Sequence, residues 1–179
     1  KLDIKKAFDS VRWDYLMDLL RHNHFPSHFC DWISALLSTA SSRVLLNGIA
    51  GDPIKHGRGL WLGDPLSPLL FVLAIDPLHR ILAKATEQGN LRPLHGNPIR
   101  ASLYADDAAI FVAPIKEDIQ FLASTLSCFG EVTGLVANCN KSLVAPIQCA
   151  NLDRDGMLRL SRPCGPLSLC GTLVFLCRS

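Results

Sequence analysis

Two aspartates stand side by side at positions 106 and 107, between the short apolar runs Ser102-Leu103-Tyr104 and Ala108 to Val112. Two strand-like runs joined by polar residues predict a hairpin with Ala105-Asp106-Asp107 at its tip. Adjacent carboxylates repel each other and resist desolvation, so folding alone does not favour them there. A divalent cation reverses that penalty. Carboxylates gathered at strand ends can hold Mg²⁺, and two such ions stabilise the attacking and leaving oxygens of a phosphoryl displacement. A third carboxylate, Asp3, lies within Leu2-Asp3-Ile4, which is too short to judge by itself but resembles a strand end. A solvated Asp-Asp turn and an unrelated Asp3 account for the same residues, and both readings stand at this point.

The remaining pattern mixes helices and strands without regular alternation, which favours an α+β layer architecture over a doubly wound sheet. Trp13, Leu16, Leu19 and Leu20 share one face of a helix over 13–22. Ser27 is a plausible N-cap for a second helix with the stripe Phe29, Ile33, Leu36 and Leu37. Arg43 to Leu46 is strand-like, Asn47-Gly48 is a turn signal, and Pro53 to His56 is the expected returning strand. The long apolar segment 66–85 follows a glycine-rich stretch. Ser67-Pro68 reads as its N-cap and first helical residue, and Pro77 is expected to kink or split it. A helix over 115–133 has Glu117 and Asp118 at its positive end and Gly134 at its stop. Ser142 to Ala145 is a candidate edge strand.

Composition narrows the function classes. Lys and Arg total 18 against 16 Asp and Glu, a net charge of +2, so nucleic acid cannot be held by bulk positive charge alone, though a local patch is compatible. Hydrophobic residues make up 49% of the 179, which suits one domain burying about two-thirds of its unfolded surface. No apolar run reaches the roughly 18 residues of a membrane span. The seven cysteines are odd in number and contain no CxxC pair, so neither a disulfide framework nor a zinc knuckle is encoded. A reducing, intracellular compartment, nucleus or cytoplasm, fits. His22, His24 and His28 lie close together but lack a partner at ligand spacing.

Four ordered motifs now bear on the choice left open above. They are Lys1-Leu2-Asp3-Ile4-Lys5-Lys6-Ala7-Phe8-Asp9-Ser10-Val11; Arg58-Gly59 with Gly63-Asp64-Pro65-Leu66-Ser67-Pro68-Leu69-Leu70-Phe71; Tyr104-Ala105-Asp106-Asp107; and Gly134-Leu135, Asn138 and Lys141-Ser142. Together the chain resembles the reverse transcriptase domain of non-LTR (LINE-type) retrotransposons, especially the plant kind. The resemblance implies a polymerase palm, a small antiparallel sheet backed by helices, over residues 1–147. It implies an RNA-directed DNA polymerase that joins a dNTP to a primer 3′-hydroxyl, with RNA template and DNA primer as partners and no membrane.

By that resemblance Asp3, Asp106 and Asp107 are metal ligands and catalytic residues, holding two Mg²⁺ ions, with Mn²⁺ as a substitute. Lys141 is a proton donor to the pyrophosphate. Phe8, five residues after Asp3, packs under the sugar and leaves no room for a 2′-hydroxyl. Arg58 contacts phosphate, Gly63 lets backbone approach the nucleotide or template, Ser67 starts the helix supporting the template strand, and Tyr104 completes the substrate side. Asp9 and Asp64 are expected as caps or turn formers rather than ligands.

Three departures are visible. Trp61-Leu62 replaces the Arg-Gln usual before Gly-Asp-Pro, and Leu62 offers no hydrogen bond; a bond lost at a desolvated site costs about 1–3 kcal/mol. Residues 148–179 match no expected continuation, hold four of the seven cysteines, and are expected to be a divergent tail, disordered or out of frame. The fingers and thumb are expected to be largely missing, which makes the chain a fragment that is weak or inactive alone. The alternative function is a catalytically inactive retroelement remnant or nucleic-acid-binding piece. A metal-dependent nuclease also clusters carboxylates, but no histidine acid/base accompanies them here.

Overall fold

A computed structural model describes residues 2–61, 63–94, 99–104, 107–138, 142, 145–147 and 174–176. The opening strand β1 (Leu2–Asp3) gives way to a short helix α1 (Ala7–Ser10), and Lys6 reverses the chain between them with a left-handed φ of 45°. α2 (Trp13–His22) and α3 (Ser27–Ser38) follow. The expected bounds of α2 hold, and its buried side chains are Leu16, Met17 and Leu20. α3 departs from its expected stripe: Cys30 and Ile33 are buried while Leu36 is exposed, and Pro26, not Ser27, occupies the cap position.

The segment after α3 forms two nested ribbons. β3 (Leu45–Leu46) pairs with β4 (Ile49–Ala50) across Asn47-Gly48, whose φ angles of 50° and 81° suit a tight hairpin turn. β2 (Ser41–Ser42) pairs with β5 (Ile54–Lys55) outside it. The strand returning from the turn is therefore 49–50, and the expected one at 53–56 pairs further out. A turn this tight forces the immediately following residues to pair first.

α4 (Ser67–Glu87) runs unbroken through Pro77, so of the expected kink or split the split does not occur. Leu70, Phe71, Ala74, Ile75, Leu78, Leu82 and Ala85 are all buried on it, at the three- and four-residue spacing of one helical face. An internal proline costs about 3 kcal/mol, whereas each large apolar side chain buried gains about 1.5–3 kcal/mol, and such side chains lie on both sides of Pro77. The Tyr15 hydroxyl also donates to the Ala74 carbonyl at 2.8 Å, in the turn that Pro77 crowds. Burial, with the charge of Asp76 assisting, pushes the Tyr15 phenol up to about 12.

The main sheet is built on β7 (Asp107–Val112), with β6 (Ala101–Tyr104) and β1 paired antiparallel to it. β9 (Val174–Leu176) pairs parallel to the far end of β7, and β8 (Ala145–Ile147) parallel to β9. The strand expected at 142–145 thus begins at Ala145. Along β7, Ala108, Ile110 and Val112 are buried and the alternate residues are half-exposed. One sheet face packs into the core with α4, α2 and α5 (Lys116–Thr133), and the other faces out. α5 ends at Gly134, φ 84°, as expected. Two buried charges tie α4, β6 and α5 together. Asp118 accepts the Arg92 backbone N–H at 3.0 Å, and Arg100 donates to Thr86 Oγ1 at 2.9 Å and to the carbonyl of Arg92. Burial lowers the Arg100 pKa, with the Asp118 charge acting against that shift. Among the described residues no helix is long and apolar enough to cross a membrane.

Candidate active site

Register alone assembles the centre of the site. Tyr104 lies opposite Asp107 across β6 and β7, and Asp107 lies opposite Asp3 across β7 and β1. Residues directly opposite in a sheet project to the same face, with Cβ atoms about 4.5–5.5 Å apart. One residue along, Leu2 and Ala108 are opposite each other and buried in the core. The period of two therefore places Asp3, Asp107 and Tyr104 on the outward face, the aspartates half-buried and Tyr104 84% exposed. Asp107 is the first residue of β7 rather than part of the tip, and the expected ligand Asp106 lies outside the described residues.

β1 is held on its second edge by the segment after α5. The Lys5 N–H donates to the Val136 carbonyl at 2.9 Å, Ile4 bridges Ala137, and the Asn138 N–H donates to the Asp3 carbonyl at 2.7 Å. The Asn138 side-chain amide donates to Asp3 Oδ2, also at 2.7 Å. Ser142 Oγ accepts from the Asp3 N–H at 3.1 Å and donates to the Asn138 carbonyl at 2.8 Å. Tyr104, Asp107, Asp3 and Asn138 thus form one row across four chain segments. Like charges directly opposite in a sheet oppose folding, and hard carboxylate oxygens on a partly hydrated face suit Mg²⁺. The donor set fits a divalent cation. Among the described residues no group of three His, Cys, Asp or Glu gathers, and Asp106 is outside that set.

Phe8 projects from α1 and is half-buried against Phe71 of α4, ring centroids 4.6 Å apart and planes inclined by 19°. Its backbone is fixed as well: the Leu60 N–H donates to the Phe8 carbonyl at 2.7 Å and the Gly59 N–H to the Val11 carbonyl at 2.8 Å, while Trp13 Nε1 donates to the Gly59 carbonyl at 2.7 Å. Gly59 has φ 91°, and a Cβ there would lie 2.8 Å from the Asp9 carbonyl oxygen. The glycine-rich stretch is thereby laced to the turn that carries Phe8.

Arg58 is exposed and lines a separate open cavity of about 600 Å³ with Asp9, Lys55, His56 and Trp61. Gly63 has φ 102°, a backbone that favours glycine, with no described atom within 4 Å of where a Cβ would stand. Ser67 is buried and is the first helical residue of α4. Leu66 occupies the cap position and no side chain caps the helix; Asp64 shapes the turn ahead of it, its Oδ1 accepting the Leu66 N–H at 3.0 Å and its Oδ2 lying 3.5 Å from the Ser67 hydroxyl. This corrects the expected N-cap and makes Asp64 a turn former. Lys141 and Leu62 lie outside the described residues, and Trp61 is half-exposed with its ring edge-on to His56. Asn138, Ser142 and Phe71 were visible in the motifs, but their contacts depend on register and packing that spacing does not encode.

Residues 1–152 match the family described as reverse transcriptase (RNA-dependent DNA polymerase). The chain is 34% identical over 134 residues to a retrovirus-related Pol polyprotein from type-1 retrotransposable element R2 of Nasonia vitripennis, covering 75% of this chain and 13% of that protein. It is 31% identical over 148 residues to the Pol polyprotein from type-2 retrotransposable element R2DM of Drosophila melanogaster, covering 82% and 13%. A transposon TX1 protein of Xenopus laevis is 30% identical over 141 residues, covering 79% and 11%. The chain thus spans little more than a tenth of the length of these relatives.

Proposed function

The chain belongs to the reverse transcriptase (RNA-dependent DNA polymerase) family, as a domain of the retrotransposon kind, and from that premise we propose that residues 1–147 are the palm of a polymerase extending a DNA primer on an RNA template. The observation that carries the reading is the outward row of Asp3 and Asp107, opposite each other on neighbouring strands. The reaction is attack of the primer 3′-hydroxyl on the α-phosphate of a dNTP, with pyrophosphate leaving. Asp3, Asp106 and Asp107 would hold two Mg²⁺ ions, or Mn²⁺ in their place, which when bound neutralise charge on the attacking and leaving oxygens.

The protein's own share is placement. β7 and β1 fix two carboxylates on one face, and Phe71 backs the Phe8 ring so that it excludes a 2′-hydroxyl. Gly63 admits a close backbone approach, Ser67 anchors the helix under the template, Tyr104 lies beside the carboxylates, Arg58 meets a phosphate, and Lys141 gives a proton to pyrophosphate. Fingers and thumb segments of a larger Pol protein are its working partners, in the nucleus or cytoplasm, and residues 148–179 form a divergent tail. Primer extension by the full chain on an RNA template, with Mg²⁺ or Mn²⁺, tests this: dNTP-dependent extension that stops with a chelator supports it.

The second reading is a catalytically inactive remnant. Trp61 and Leu62 favour it, because neither supplies the charge or hydrogen bonds of the usual pair. Absence of any metal-dependent extension selects that reading.

A further inference from the structure

Resting on the polymerase reading, we propose that Asn138 is a positioning residue for Asp3: its side-chain amide orients the carboxylate for a divalent cation without neutralising it. β1 is two residues long, too short to fix a side chain by itself. Its pairing with β7 supports one edge, and the segment after α5 supports the other through the Ile4–Ala137 bridge and the Asn138 N–H on the Asp3 carbonyl. That same register brings the Asn138 amide to Asp3 Oδ2 at 2.7 Å.

The chemistry of the donor matters. A Lys or Arg at this place would satisfy the carboxylate and compete with a cation for it. A neutral amide satisfies one oxygen and leaves the full negative charge. Ser142 then fixes Asn138, since its hydroxyl donates to the Asn138 carbonyl while accepting from the Asp3 N–H. The clamp is anchored at its start too. Gly134 packs against the Ser10 carbonyl so closely that a side chain there would collide with it, and the Arg12 N–H donates to the Thr133 carbonyl at 2.9 Å. The turn bearing Phe8 and the segment bearing Asn138 are therefore set relative to each other.

The test is Mn²⁺ binding to the full chain, read by electron paramagnetic resonance, in wild type, Asp3→Asn and Asn138→Ala. Loss of a hydrogen bond supporting a metal ligand typically weakens binding about 10–100-fold. We expect that loss in Asn138→Ala, with circular dichroism and the melting temperature in a chelator unchanged. Asn138→Gln, which keeps the amide, should recover part of it. If Asn138→Ala does not fold, Asn138→Ser, which retains the backbone bonds, is measured in its place. Unchanged Mn²⁺ affinity in a folded variant overturns the proposal. So does an affinity loss matched by a lower melting temperature in chelator that Gln does not relieve, since that marks a structural role. Wild-type binding that ignores Asp3→Asn instead removes the metal-site reading itself, a failure distinct from that of Asn138.

Discussion

The rings of Phe8 and Phe71 stack 4.6 Å apart with their planes 19° from parallel. Phe71 is fully buried and Phe8 half-exposed, so one ring is a fixed support and the other presents a face. Such a pair is worth about 0.5–1.5 kcal/mol beyond the area it buries. Phe8→Val should remove the barrier to a 2′-hydroxyl with little loss of fold. In extension assays its preference for dNTP over NTP should drop at least tenfold, while circular dichroism stays as in wild type. Phe71→Ala should relax the same preference and also cost about 3–5 kcal/mol of stability, as for a large ring deleted from a core.

Gly134 and Gly48 share a left-handed backbone, φ 84° and 81°, but differ in surroundings. A Cβ at Gly48 meets nothing within 4 Å, whereas one at Gly134 runs into the Ser10 carbonyl. Gly48→Ala should cost only the conformational penalty, about 1–2 kcal/mol. Gly134→Ala should cost clearly more, because the backbone of α1 must move. Urea unfolding of the two variants gives the comparison directly.

The Tyr15 phenol titrates at about 12, raised by burial and then by the charge of Asp76, against about 10 in an unfolded chain. A raised folded pKa means that the folded state retains a proton that the unfolded state releases. The stabilisation from neutral Tyr15 is complete below pH 10 and is lost as pH climbs through 12. Tyr15→Phe should flatten the fall in stability over that window while lowering stability at neutral pH through the lost bond to Ala74. Melting temperatures between pH 8 and about 12 read both effects.

Arg100 and Asp118 are both buried. Removing Asp118 takes away the opposite charge that acts on Arg100 and leaves the Arg92 N–H without its acceptor, at a cost of about 1–3 kcal/mol, while replacing both charged groups by apolar ones removes the first of these costs. Asp118→Ala should therefore destabilise more than the double variant Asp118→Ala/Arg100→Met. Chemical denaturation of the single and double variants measures the difference.

The sequence is most legible where a local pattern is strong. α2, α5 and the β6–β7 arms carry clear periodicity, and Gly134 marks its stop by the backbone conformation it alone adopts readily. The errors fall where tertiary contacts outweigh local preference. Burial on both sides of Pro77 keeps α4 whole. Asp64 forms a turn that brings Leu66 to the cap position, and Ser67 becomes the buried first residue of α4. The Asn47-Gly48 turn draws Ile49–Ala50 into pairing ahead of 53–56. The site divides in the same way. Motif order singles out Asp3 and Asp107, but their alignment with Tyr104 and Asn138 rests on the β6–β7 pairing and on β1 being paired on both edges.

The central claim is that Asp3 and Asp107 form one metal-dependent catalytic centre. The most direct measurement is primer extension by the full chain on an RNA template over a range of Mg²⁺ or Mn²⁺ concentrations, in wild type, Asp3→Asn, Asp107→Asn and Asp14→Asn. Asp14 is an exposed carboxylate engaged by Arg12 and outside the row. The account predicts that each row variant loses about a thousandfold in rate or more, equivalent to roughly 4 kcal/mol at the barrier, with Asp14→Asn as active as wild type. Extension that survives Asp3→Asn or Asp107→Asn, or falls equally with Asp14→Asn, would contradict it.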